Sequence, residues 1–231
     1  RAMRKRHAAP ITAAGPFVGA IIVALAAAEA MGAERYDSDP ASNHLTVEGT
    51  STVHHWAVRG HMIQGYVIFH EGESSGLWAT SDSVPRRLTP AVHVEIPVAS
   101  LKSGTRGMDK KMYVALKAQS HPTITYQLES AEVTSRQTAQ EDSSQGPLTI
   151  ETQGTLTVAG MERPVRIPMQ IRRLSKDRLE VSGKTSLRMT DFGIDPPTAM
   201  LGALRTDDTV QVHWTWVLVL SQADTRAIPS P

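Results

Sequence analysis

Val210-Gln211-Val212-His213-Trp214-Thr215-Trp216-Val217-Leu218-Val219-Leu220 opens by alternating apolar and polar side chains and ends wholly apolar. Successive side chains of an extended strand point to opposite faces, so Val210, Val212, Trp214, Trp216, Leu218 and Leu220 share one face. Val217 and Val219 make the other face apolar at this end, which predicts an outer cover, a helix or a partner. Working backwards, Leu148, Ile150, Leu156 and Val158, then Val165, Ile167, Met169 and Ile171, then Leu179, Val181, Leu187 and Met189 repeat the period. Gly160 and Asp177 mark the turns between them.

The same alternation occurs upstream in Leu45, Val47 and Gly49, in Ile63, Gly65, Val67 and Phe69, in Val92, Val94, Ile96 and Val98, and in Ile124, Tyr126 and Leu128. Ser51 to Trp56 reads as a tight corner. That makes about eight strands, joined mostly by short connections and therefore antiparallel. A sheet of this size has unpaired edges unless it closes, and closure at eight strands leaves room for side chains or one slender ligand. The expectation is a mainly β protein, an antiparallel barrel of about eight strands, with one helix over a barrel end.

That helix is predicted from Arg106 to Ala118, where Met108, Met112, Ala115 and Leu116 fall at helical spacing before His121-Pro122 stops it. Unbranched Met side chains adapt to irregular shapes beneath them, although the same stripe serves plain core packing. Glu71 to Pro90 and Ser135 to Gly146 show neither period and read as surface loops.

Arg1, Arg4, Lys5 and Arg6 precede an uncharged stretch, Ile11 to Ala28, that ends in Ala28-Glu29-Ala30. This is the layout of a signal peptide over residues 1–30, the alternative being an uncleaved N-terminal anchor; either way the domain is periplasmic or secreted. Residues 31–43 read as a mobile lead-in, 44–221 as the barrel domain and 222–231 as a tail. Four of the 24 basic and one of the 23 acidic residues lie in the leader, which leaves 20 against 22. With Arg86-Arg87, Lys110-Lys111 and Arg172-Arg173 scattered, nucleic acid is not an expected partner. The absence of cysteine excludes disulfides, thiol catalysis and thiolate metal sites.

The chain resembles the YceI-like family, exported lipocalin-like barrels associated with polyisoprenoids and other long-chain lipids. The resemblance is carried by Ile96-Pro97-Val98-Ala99-Ser100-Leu101-Lys102-Ser103-Gly104, Met108-Asp109, Met112, Leu116 and His121-Pro122-Thr123-Ile124. It continues through Gly154-Thr155-Leu156-Thr157-Val158-Ala159-Gly160 with Pro164-Val165, then Asp191-Phe192-Gly193-Ile194-Asp195-Pro196-Pro197, Asp208 and Val210. Coverage runs from about His44 to Leu220. The resemblance implies a lipid-binding barrel without catalysis, cofactor or metal. Its partner would be an isoprenoid, quinone or fatty amphiphile, with transient membrane contact and a monomeric or homodimeric state. A ligand-free interaction or stress-associated barrel is the competing reading.

Three strings invite other chemistry. Gly72-Glu73-Ser74-Ser75-Gly76 spells a nucleophile elbow, but Leu77 to Pro85 is not expected to form the helix that such a motif requires. Asp191-Phe192-Gly193 spells the kinase magnesium signature without a phosphate loop, and Phe192 is expected to pack on the barrel while Gly193 turns the chain. His54, His55 and His61 could ligate a metal, yet adjacent strand residues face opposite ways, so one outward and one core-facing histidine is expected of the first pair. The expected ligand-binding wall comprises Trp56, Tyr66, Phe69, Met112, Leu116, Tyr126, Leu156, Leu187, Phe192 and Trp214, with no catalytic residue.

Overall fold

The computed structural model describes residues 33–78, 87–136, 146–199 and 204–221. In chain order these form β1 (Glu34–Ser38), β2 (His44–Ser51), β3 (His55–Gly60), β4 (Gln64–Phe69), α1 (Glu73–Trp78), β5 (Arg87–Leu88) and β6 (Ala91–Pro97). Then follow α2 (Arg106–Ala115), β7 (Thr123–Arg136), β8 (Leu148–Val158), β9 (Met161–Ser175), β10 (Arg178–Arg188), β11 (Thr198–Ala199) and β12 (Leu204–Leu220). The leader, the tail and the middle of both expected loops lie outside the described residues.

β12 is long because its alternating run is long, and it seals the sheet. One edge pairs with β10 from Thr209 to Val219; the other pairs with β2 through Thr215 and with β1 from Leu218 onward. β1 pairs in turn with β4 and β2 with β3, so β1 with β2, and β3 with β4, each fill one wall position. The remaining ladder runs β4, β6, β7, β8, β9, β10, every neighbour antiparallel. The product is the closed eight-stranded antiparallel barrel expected from the sequence, with two helices.

Residues 34–43 overturn the mobile lead-in. Tyr36 is buried against Phe69, ring edge to face at 5.9 Å, and β1 is a wall strand. Between β1 and β2, Pro40–Ser42 makes one 3-10 turn that bulges from the ladder. Fully buried Asn43 repairs the interruption: its Nδ2 donates to Ser38 Oγ and to the Ile63 carbonyl, both at 2.8 Å, and its Oδ1 accepts from the Val217 N–H at 2.8 Å. Asp39 N–H completes the patch by donating to the Val217 carbonyl. Val217 is therefore buried by the chain's own turn, and neither a helix nor a partner is needed to cover it. Residues 33–42 looked polar because a bulged strand hides few side chains.

The segment expected as a loop after Glu71 contains α1. Glu73 accepts from the His70 and Thr89 N–H groups, and Arg136 Nη2 donates to the Leu77 carbonyl at 2.6 Å. Leu77 and Trp78 are thereby buried beside Leu88, Leu148, Leu179 and Leu218, closing one barrel end. The corner expected over Ser51–Trp56 is shorter, since β3 already starts at His55.

α2 lies where the period placed it but ends at Ala115. Lys117 takes a left-handed φ of 52°, and the Lys117 and Ala118 N–H groups cap the carbonyls of Val114 and Tyr113. Unlike α1, α2 has no fully buried residue. It spans the other end of the barrel, beside the β2–β3 turn and the start of β12.

Candidate functional site: an apolar cavity under α2

Inside the barrel is a cavity of about 630 Å³. Strand alternation builds it, since the inward positions are mostly apolar, with Thr152 and Thr185 as exceptions, and the outward ones mostly polar. Trp56, Phe69, Met112, Leu116, Tyr126, Leu156, Leu187, Phe192 and Trp214 all line it. Tyr66 does not. It belongs to the outward row of β4, with Arg35 stacked 4.3 Å over its ring and His93 alongside, because Val67 and Phe69 hold that strand's inward positions.

Large rings on the wall would fill the lumen unless something accommodated them, and glycines do so. A Cβ added at Gly49 would sit 2.2 Å from Trp56, at Gly183 2.5 Å from Trp214, and at Gly154 2.7 Å from the Tyr126 hydroxyl. Gly49 and Gly183 are the direct cross-strand partners of their tryptophans. Each ring thus lies over a bare stretch of neighbouring backbone and leaves the centre open.

The Tyr126 and Thr152 hydroxyls in the lumen are paired. Tyr126 hydroxyl donates to Thr152 Oγ1 at 3.2 Å, and Thr152 Oγ1 donates to the Ile167 carbonyl at 2.8 Å. Burial holds the Tyr126 phenol above its ordinary pKa, so the interior presents no charge there. Trp56 Nε1 is the exception, a buried donor without an acceptor among the described residues.

The charged side chains on the cavity wall, Lys111, Arg188 and Arg205, are all basic and sit at the α2 end with His54. Sequence reasoning missed them, although Lys111 follows from placing Met108 and Met112 on the inner helix face. Arg188 is held by Asp208, whose carboxyl is kept below its ordinary pKa chiefly by the Thr190 hydroxyl. Phe192 packs inward as expected, and Gly193, with φ 64°, caps the turn behind it.

The competing motifs do not assemble. Ser74 lies within α1 rather than on a strand-to-helix elbow, and its hydroxyl donates to Glu34 at 2.6 Å with no imidazole bonded to it. His54 and His55 are both exposed, so the core-facing histidine is absent and Trp56 takes the inward position. His61 contacts the Asn43 carbonyl and the His44 ring instead. Among the described residues no three His, Asp or Glu side chains converge.

A model of the YceI-like domain matches residues 36–218. The chain belongs to the YceI-like family. Among curated proteins none matches it. Of solved structures, BcnA of Burkholderia cenocepacia superposes with a TM-score of 0.58 at 14% identity, over 78% of this chain and 99% of that one. A polyisoprenoid-binding domain from Saccharophagus degradans, implicated in plant cell wall breakdown, gives 0.57 at 13%, over 80% and 98%. At such identities these likenesses speak for the YceI-like fold, while the lining of the cavity belongs to this chain.

Proposed function

We propose that this YceI-like protein is an exported carrier that holds an isoprenoid, quinone or other long-chain amphiphile in its barrel and performs no catalysis on it. The carrying observation is the apolar cavity, sealed by α1 at one end and covered at the other by a helix with no fully buried residue. Its volume lies within the roughly 300–1,000 Å³ range of small-molecule sites. Each methylene taken from water contributes about 0.8 kcal/mol, so one isoprene unit contributes on the order of 3 kcal/mol before ordering losses. A few units outweigh those losses.

The chain would enter tail first toward α1, leaving its polar head by Lys111 and His54, with Trp56 Nε1 a further donor on the wall. A polyisoprenoid-binding domain among the structural neighbours and the leader-like residues 1–30 support this reading and an exported, periplasmic location. The competing reading, a ligand-free interaction module, calls for a lumen packed by its own side chains, which the cavity disfavours.

Lipid extraction from the purified protein, followed by mass spectrometry, is the direct test. A stoichiometric long-chain amphiphile is the expected result; repeated recovery of none would overturn the proposal.

A further inference from the structure

The outer face of α2 carries a pattern that the cavity does not use. Arg106, Lys110 and Val114 recur at every fourth position, which places them in one stripe, and all are exposed, Val114 at 72%. Lys117 follows beyond the helix end, and Lys111 borders the mouth. None of these four cations forms an ion pair with a described carboxylate. The one acidic residue of the helix, Asp109, is turned aside, accepting from the Ser103 N–H and hydroxyl at 2.7 and 2.6 Å.

Val53, 60% exposed, also stands on the rim of the same mouth. Of the carboxylates on this side, Asp208 is paired with Arg188 and Asp191 also acts on Arg188, while Asp207 accepts from the Thr50 hydroxyl. Unpaired cations around exposed aliphatic groups are the composition of an interfacial lipid-binding surface, and here they lie on the helix that covers the mouth of an apolar cavity, with Lys111 at its edge. A stability role accounts poorly for them, since like charges at positions 106 and 110 repel along the helix.

We propose that this face docks on an anionic phospholipid bilayer, Val53 and Val114 entering the headgroup region and the cations engaging lipid phosphates, so that the mouth meets the membrane directly. The proposal rests on the lipid-carrier reading and adds the surface through which the cargo is exchanged.

Because the chain has no cysteine, a single label reports position cleanly. An environment-sensitive fluorophore on Val114→Cys should shift to the blue with vesicles of equal parts phosphatidylglycerol and phosphatidylcholine. It should not do so with phosphatidylcholine alone. The same label on Lys176→Cys, 86% exposed at the closed end, should not move. Arg106→Gln with Lys110→Gln should weaken partitioning roughly twenty-fivefold, about fivefold for each cation removed, and added salt should also weaken it. Equal response to neutral vesicles, an equal shift at position 176, no response at all, or indifference to the double substitution each overturns the docking. Farnesol uptake without vesicles, followed by tryptophan fluorescence, is scored separately. Uptake without docking removes only this inference; docking without uptake keeps the membrane-binding face and removes its role in cargo exchange together with the carrier reading.

Discussion

Trp214 lies over the backbone of Gly183, its partner across the β10–β12 ladder, so closely that a Cβ there would come within 2.5 Å of the ring. Valine favours strands more than glycine does, yet Gly183→Val should destabilise the barrel by about 1–3 kcal/mol, since the ring would be driven into the lumen. Urea unfolding gives the sign. A stabilised variant would show that the ring does not need that gap.

Leu156→Trp tests whether the lumen is open. Overfilling a packed core costs roughly 1–3 kcal/mol, whereas here the stability loss should stay below that while farnesol uptake falls severalfold. A large loss of stability with unchanged uptake would contradict the cavity.

Asn43→Ala should cost about 1–3 kcal/mol, because it strips the buried Val217 N–H of its acceptor, while the Ile63 carbonyl keeps the Ser38 hydroxyl as a donor. Denaturant midpoints at unchanged slope would report it.

Asp39 accepts from the Ser42 hydroxyl, from Arg178 at 2.7 Å and from the Ala41 N–H, and these bonds hold its carboxyl below the ordinary 3.8. A lowered folded value stabilises fully above the unfolded one and fades as pH falls through the folded one. Asn keeps the capping oxygen but loses the charge toward Arg178. Asp39→Asn should therefore melt up to about 3 °C lower near pH 7, as for a part-exposed ion pair of at most about 1 kcal/mol, and the gap should fade as pH falls below about 4. Melting curves across that range decide it.

What was legible in the sequence followed strict periods. The run from Val210 to Leu220 needed only its own alternation, and Met108 with Met112 needed only helical spacing. Tyr66 and Phe69 were both expected inward although three positions apart on one strand, which the two-residue period forbids; the aromatic ring outweighed the parity. β1 escaped because a five-residue strand with one buried side chain carries too little pattern, and α1 because Glu73-Ser74-Ser75-Gly76 has poor helical propensity that tertiary burial of Leu77 and Trp78 overrides. The glycine seats under Trp56, Tyr126 and Trp214 depend on cross-strand register, which no single segment contains.

The pairing of β12 with β1 and β2 has a temporal side. The wall cannot be sealed until the last strand of the domain is available to the first, more than 160 positions earlier. Until then the nascent chain is an unsealed sheet with two free edges, slow to lock and exposed to pairing with other chains. A chain truncated before Val210 would keep most of its strands and never become a vessel.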